Sequence, residues 1–582
     1  MALEHFPNLV TMFFTRAREQ GDAPFLFWKE AGAWRSLSWA ETARKVAALS
    51  EALRGLGLEP CDRVMLVSEN RPEWAIADLA IMAAGCITVP VYTSNTDRDH
   101  AHVLNDSGAR AAIVSTAALA KTLLPAVARS SECEMVIGID PLPRERIGNV
   151  RLYEWDALVA DQPGDVVAAE GAAAGLKRED LACLIYTSGT GGSPRGVRQH
   201  HGAILHNCAG AGDIIIGDFT PSQEVFLSLL PLSHSYEHTA GLHFPISLSA
   251  QIYYAESIEK LAANLEEAAP TIMVVVPRLF ELLRARILKQ FEKQGKAAQW
   301  LLAQALALDA KPKRSMLDKP LDLLLDVTVR KKVRARFGGR NKALVSGGAP
   351  LNPEVGRFFQ ALGLTLLQGY GQTEAGPLIS VNRPRAGIKL DTVGPAVLGC
   401  EVKIAEDGEI LCRGENVMHG YWRNDAESAR VLADGWLHTG DVGHLDAQNR
   451  IVITDRKKDL IVNDKGDNVS PQRVEGMLTL EPEIAQAMVV GDRRPYLVGL
   501  VVPDKEWEAS LPPGTDVGKA MMAAVDRVNA GLSVIEKVRR VLVAEEAFTI
   551  ENGALTPSLK VRRHVLRERY GQRLHALYGA KA

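Results

Sequence analysis

The segment that most constrains this chain is Leu181-Ala182-Cys183-Leu184-Ile185-Tyr186-Thr187, which runs without a break into Ser188-Gly189-Thr190-Gly191-Gly192-Ser193-Pro194-Arg195-Gly196. The apolar half reads as a buried strand, because a short apolar run bounded by turn residues is what a covered sheet requires. The polar half is suited to an anion. Glycines let backbone N–H groups approach it closely, hydroxyls add donors, and the cation at 195 neutralises charge. The GxxxxGK[ST] spacing is absent, so this is not a Walker loop. Taken alone, the loop also reads as a flexible polar turn.

The surrounding sequence fits a covered parallel sheet. Ser38 and Glu41 have capping-box spacing, and Val46, Leu49, Leu53 and Leu56 follow at helical intervals. Residues 63–67 read as a strand. A helix is expected from Pro72 to Ala84, with Gly85 as its stop, and strand character resumes at 87–92. Such alternation argues for parallel strands covered by helices. With 582 residues, 47% of them apolar and 24% charged, several folding units are expected. Lys and Arg number 67 against 70 Asp and Glu, a net charge of −3, so no global basic field points to nucleic acid. The seven cysteines form no CxxC pair, no apolar stretch is long enough to span a membrane, and no secretory signal is visible. A cytoplasmic setting is the simplest reading.

The last third changes texture. Short strand-like pieces at 401–404, 409–412 and 450–453 alternate with Gly and Asp turns, and the charged knot Asp455-Arg456-Lys457-Lys458-Asp459 follows. Two further strands, at 487–490 and 497–502, lie beyond it. We place a boundary at the knot, giving a body of 1–455 and a lid of 456–582. The fold class expected is α/β: a large N-terminal body of parallel and mixed sheets covered by helices, a β-rich subdomain, and a small mobile α+β C-terminal lid. Residues 311–340 are locally basic, with ten Lys and Arg against three Asp. This stretch reads either as a solvated helical face or as a contact for an anionic membrane surface or ligand, which would make the protein peripheral at the inner face of a membrane.

Six segments, in order, resemble the signatures of the acyl-adenylate-forming (AMP-binding) superfamily. The glycine loop resembles its phosphate-binding signature, and Leu230-Pro231-Leu232-Ser233-His234-Ser235-Tyr236-Glu237 resembles the segment lining the acyl pocket. Ser346-Gly347-Gly348-Ala349-Pro350 resembles the turn beside adenine, and Gln368-Gly369-Tyr370-Gly371-Gln372-Thr373-Glu374 the aromatic-Gly-x-Thr-Glu signature. Gly435-Trp436-Leu437-His438-Thr439-Gly440-Asp441 resembles the ribose motif, and Leu555-Thr556-Pro557-Ser558-Leu559-Lys560 the segment bearing the adenylation lysine.

The resemblance implies ATP, Mg²⁺ and coenzyme A as co-substrates and cofactor. It assigns catalytic positions to Lys560, Glu374, Thr187 and His234, with Glu374 and Thr187 as the metal ligands. Nucleotide and CoA contacts fall to Thr187, Ser188, Gly189, Thr190, Gly192, Arg195, Gly347, Gly348, Ala349, Gln368, Gly369, Tyr370, Thr373, Asp441, Arg456, Lys458 and Gly466. These residue types suit the chemistry. A carboxylate attacking the α-phosphate of ATP brings two anions together, so cations and aligned donors must stabilise the charge as it shifts. Glu374 is a hard oxygen ligand for Mg²⁺. Asp441 can accept from ribose hydroxyls, Tyr370 offers a flat face to adenine, and Lys560 supplies a positive charge between the two reactants. Lys458 matches the hinge about which the family's lid rotates between half-reactions.

Two departures stand out. The family usually has Thr-Thr-Gly and then Pro-Lys-Gly, where this chain has Thr190-Gly191-Gly192 and Pro194-Arg195-Gly196. Arg195 keeps the charge but spreads it over a planar fork. The segments at 232–238 and 270–281 and the helical insert at about 282–340 look most like the long-chain fatty acyl-CoA synthetase branch. The expected activity is acyl-CoA formation from a medium- or long-chain fatty acid, ATP and CoA. A ligase loading a carrier protein, and a low-turnover protein that binds ATP or an acyl adenylate, stand as alternatives. Oligomeric state is not legible.

Overall fold

The run before the glycine loop forms the strand Leu181–Thr187, buried from 182 to 186. A computed structural model describes residues 4–142, 148, 150–159, 164–187, 194–311, 315–556 and 560–579. The loop residues Ser188, Gly189, Thr190, Gly191 and Gly192 lie outside the described residues. The strand belongs to a seven-stranded sheet, in the order Arg151–Glu154, Met135–Gly138, Ala109–Val114, Arg63–Val67, Ile87–Val91, Leu181–Thr187 and Arg195–His200. Every neighbouring pair is parallel except the last. The helices arise as their sequence signals indicate. Ser38 and Glu41 form a reciprocal capping box on Trp39–Gly55. Pro72 opens Pro72–Ala83, and Gly85, at φ 79°, turns the chain beyond it.

An eight-stranded sheet lies alongside. Its order is Leu378–Val381, Leu366–Gly371, Ala343–Ser346, Ile272–Val275, Val225–Ser228, Gln251–Tyr254, Pro24–Glu30 and Ala33–Ser38. Only the two outermost pairings are antiparallel. The hairpin at 24–38 was not assigned from sequence; Phe27 stacks on Tyr253 with centroids 4.1 Å apart and holds it to the sheet. The helix His201–Asp218 follows the seven-stranded sheet in the chain and leads to the eight-stranded one, and one face of it is buried.

A third, antiparallel sheet contains Glu401–Ile404, Glu409–Arg413, Leu432–Ala433, Trp436–Leu445 and Ile451–Arg456. The last strand runs farther than the expected 450–453 and takes in the first two residues of the charged knot. The C-terminal unit has strands Ile484–Val490, Leu497–Pro503 and Val538–Val543 packed between helices. Its apolar side chains form two clusters: Val474, Leu478, Met521 and Val525 in one, Met488, Leu500, Leu566 and Tyr570 in the other. The expected class, α/β sheets with a β-rich subdomain and an α+β C-terminal unit, is what the structure has.

The helical insert comprises Pro277–Lys293, Lys296–Asp309, Lys319–Leu325 and Lys331–Arg336 with short turns between them. Much of its basic charge is paired internally: Lys311 with Asp318 at 2.6 Å, Arg330 with Asp322 at 2.7 Å and Arg334 with Asp326 at 2.8 Å. Among the described residues, no helix is long and apolar enough to cross a membrane.

Candidate active site

The three sheets and the C-terminal unit surround one cavity of about 2230 Å³. Thr187 ends the buried strand at its edge, and Arg195 begins the returning one. Gly347, Gly348 and Ala349 form the turn after strand Ala343–Ser346, and Gln368, Gly369 and Tyr370 come from the adjacent Leu366–Gly371. Gly347 is needed there, since a Cβ would stand 2.9 Å from the ring of Tyr236, whose hydroxyl donates to Val345 O at 2.9 Å.

Asp441 is buried on strand Trp436–Leu445. Its Oδ2 accepts the Tyr370 hydroxyl at 2.7 Å, and Arg456 Nε stands 3.0 Å from Oδ1. The Tyr370 ring is thereby fixed, and burial together with the Asp441 charge pushes its hydroxyl well above the ordinary range. Thr373 Oγ1 shares a 2.9 Å hydrogen bond with Ser235 Oγ. Glu374 Oε1 accepts the Tyr421 hydroxyl at 2.8 Å, which orients the carboxylate and leaves Oε2 for another partner. A carboxylate so held, with Thr187 on the same cavity, fits a hard divalent cation such as Mg²⁺.

Lys560 precedes Val561, which bridges to Leu555, and lines this cavity from the C-terminal unit. Its backbone N–H donates to Thr556 Oγ1 at 3.0 Å. Burial and the neighbouring Arg456 bring its ammonium down from 10.5 to about 8, against the pull of Asp441 and Glu374. His234 is held by the Tyr236 backbone N–H, which donates to Nδ1 at 3.1 Å. Burial and Lys560 lower its pKa to about 3, so the ring is neutral with its proton on Nε2.

Arg195 is occupied differently from the sequence expectation. Its guanidinium pairs with Glu427 and lies over the Tyr421 ring, 4.5 Å from the centroid, so its charge is already partnered before any phosphate arrives. Gly466 sits on an exposed turn, at φ 87°, and is not among the residues lining the cavity; Asn468 and Ser470 of the same segment are. Lys458 lines the cavity just past strand Ile451–Arg456, where the N–H groups of Asp459 and Leu460 both donate to Arg456 O. The preceding Lys457 is anchored to Asp407 and Glu409, each at 2.6 Å.

Sequence reasoning missed Tyr421, Glu427 and Lys457, whose partners Glu374, Arg195, Asp407 and Glu409 are 47 to 232 positions away, a separation no local pattern reports. It also missed the apolar side chains on the cavity wall, Ala211, Ile214, Ile215, Ala240, Phe244 and Val381. The spacing 211, 214, 215 was visible, but a helical apolar stripe reads equally as core.

The pattern of the AMP-binding enzyme family matches residues 13–422, and that of the AMP-binding enzyme C-terminal domain matches 458–582. The chain belongs to the AMP-binding enzyme family. This AMP-binding enzyme is 32% identical to the long-chain-fatty-acid–CoA ligase FadD15 of Mycobacterium bovis over 98% of this chain and 97% of the relative. It is 28% identical to fatty acyl-CoA synthetase A of Dictyostelium discoideum, over 97% of this chain and 90% of the relative. Among solved structures it resembles the A domain of a carboxylic acid reductase from Segniliparus rugosus, with a TM-score of 0.77 at 20% identity over 98% of this chain and 94% of that one. The anthranilate CoA ligase AuaEII gives 0.75 at 20% identity over 99% of each chain. These two likenesses bear on fold alone. The expected superfamily is thus borne out.

Proposed function

We propose that this AMP-binding enzyme is an ATP-dependent acyl-CoA synthetase for medium- or long-chain fatty acids, acting through an acyl adenylate. The observation that carries the reading is the convergence of Lys560, His234 and Asp441 on one cavity whose wall also carries the apolar side chains Ile214, Ile215, Phe244 and Val381. The relatives' names, long-chain-fatty-acid–CoA ligase and fatty acyl-CoA synthetase, support the acid class.

In the first half-reaction the fatty carboxylate attacks the α-phosphorus, and pyrophosphate leaves. Asp441 accepts from ribose hydroxyls, with Arg456 beside it, while Tyr370 and the turn 347–349 hold adenine. His234 donates its Nε2 proton in a hydrogen bond to the incoming carboxylate. Lys560 places an ammonium where the two anions meet and where charge redistributes. Mg²⁺, held by Glu374 and Thr187, would neutralise phosphate charge. In the second half-reaction a CoA thiolate attacks the acyl carbonyl and AMP leaves. Residues 456–582 form the moving lid and Lys458 the pivot, with Gly466 carried toward the thiol path by rotation; the backbone-anchored turn after Arg456 supports a pivot at this point.

The test is pyrophosphate release with a series of saturated acids, followed by acyl-CoA detection. CoA-dependent thioester with medium or long acids is the expected result. Adenylate formation without use of free CoA would instead identify a carrier-protein ligase, and no nucleotide consumption would leave only the binding reading.

A further inference from the structure

We propose that the helical insert between strands Ile272–Val275 and Ala343–Ser346 is a docking surface for an anionic lipid bilayer. Six large apolar side chains of this insert face solvent: Trp300, Met316, Leu317, Leu323, Leu324 and Val327. Leu317 is 90% exposed and Met316 74%. Twelve large apolar side chains are exposed among the described residues, so half of them fall within 300–327. Isolated exposed apolar residues are ordinary on a protein surface, but a concentrated set marks a contact surface. It is not misplaced core, because the same helices already bury Leu302, Leu308, Leu325 and Val329 inward. Helices Lys296–Asp309 and Lys319–Leu325 also pack on each other, so the outward residues share one part of the surface.

Charge selects the occupant. Asp318, Asp322 and Asp326 are each tied to a basic residue of the stretch. Lys296, Lys319, Lys331 and Lys332 are exposed and make no ion pair among the described residues. The apolar side chains are therefore accompanied by uncompensated positive charge. An anionic bilayer satisfies both parts, taking the apolar side chains at the headgroup boundary and the lysines at its phosphates. A second copy of this chain would set lysine against lysine. Helix Pro277–Lys293, which opens the insert, contributes Arg278, Glu281 and Leu282 to the wall of the cavity, so surface and cavity share an element. The inference stands on this surface and not on the identity of the acid.

Flotation of the full chain, without substrates, tests it. The probes are vesicles of phosphatidylcholine alone and vesicles of phosphatidylcholine with equimolar phosphatidylglycerol. The chain should float with the anionic vesicles, less at high salt, and weakly with the neutral ones. Leu317→Glu with Leu323→Glu should weaken anionic-vesicle binding at least about tenfold, and Lys331→Glu with Lys332→Glu should do the same. Both variants should keep wild-type pyrophosphate release with detergent-dispersed acid, which shows them folded and separates this result from the enzymatic reading. Failure of the wild type to float, or equal flotation of wild type and both variants, overturns the proposal. So would a wild-type dimer in sedimentation that Leu317→Glu dissociates, because the surface would then be a self-association face.

Discussion

Asp441 and Arg456 are cross-strand partners on adjacent antiparallel strands, and Arg456 Nε stands 3.0 Å from Asp441 Oδ1. The pairing is a consequence of register: the strand that the sequence suggested would end at 453 continues to 456 and carries the arginine to the carboxylate. Tyr370 donates to the other carboxylate oxygen at 2.7 Å, so one buried acid orients both a cation and an aromatic ring. Replacing it by an amide removes the charge and one of the two acceptor oxygens that these partners use.

Asp441→Asn should therefore raise the KM for ATP by about ten- to a hundredfold, the range for losing a hydrogen bond to a charged group. The KM for the fatty acid should move far less. Steady-state kinetics with each substrate varied in turn checks this, and equal effects on both substrates would count against a ribose role.

The lowered pKa of Lys560 gives a pH signature. Its ammonium, at about 8 instead of 10.5, is charged below pH 8 and loses its proton as pH rises through that value. kcat/KM for ATP, which reports groups of the free enzyme, should fall on an alkaline limb near pH 8. Lys560→Arg should move that limb upward, because a guanidinium stays protonated. A wild-type profile flat to pH 10 would show that this charge is not needed.

The apolar part of the cavity wall makes a size prediction. Ala211 belongs to it, on helix His201–Asp218, and Ala211→Trp should fill the space beside it. Each methylene denied burial costs about 0.8 kcal/mol, so excluding two or three reduces kcat/KM for a long acid by about tenfold or more. A short acid should be used nearly as before. Equal loss across the series would place the acyl chain elsewhere.

A buried network bears on stability. His238 Nε2 lies 3.0 Å and His243 Nε2 3.3 Å from Asp78 Oδ2, all three side chains being inaccessible. Although these donors could in geometry hold a metal, both Nδ1 atoms lack a partner among the described residues, and ligating imidazoles nearly always have one there. We read the group as a clasp joining helix Pro72–Ala83 to the helical segment His238–His243. Burial alone would raise the Asp78 carboxyl, but the two imidazoles hold it well below the ordinary carboxylate range. Asp78→Asn should cost about 3 kcal/mol near neutral pH. A depressed carboxyl stabilises above its unfolded value and loses that contribution as pH falls, so the gap from wild type should narrow below about pH 4. Denaturant midpoints at pH 7 and pH 3.5 would check it, and a gap that widens in acid would refute the assignment.

Much of this was legible because local rules sufficed. The buried strand at 181–187, the capping box of Ser38 and Glu41, and the start at Pro72 each depend on neighbouring residues. The cavity residues named by motif, from Thr187 through Asp441 to Lys560, line one space. What could not be read depends on distant partners. Glu427 engages Arg195 across 232 positions, Tyr421 orients Glu374 across 47, and the hairpin at 24–38 joins its sheet through Tyr253. Gly466 illustrates another limit, since a motif names a residue but not the arrangement of units in which it reaches the site.

The most direct measurement compares the two half-reactions in Lys560→Ala. Pyrophosphate exchange reports adenylate formation, and thioester formation from a supplied acyl adenylate and CoA reports the second step. Exchange should fall by about a hundredfold or more, the scale for removing one preorganised charge-stabilising donor, while the supplied adenylate is still converted at a rate close to wild type. Equal loss in both steps with the fold intact, or undiminished exchange, would contradict the placement of this ammonium where carboxylate meets α-phosphate.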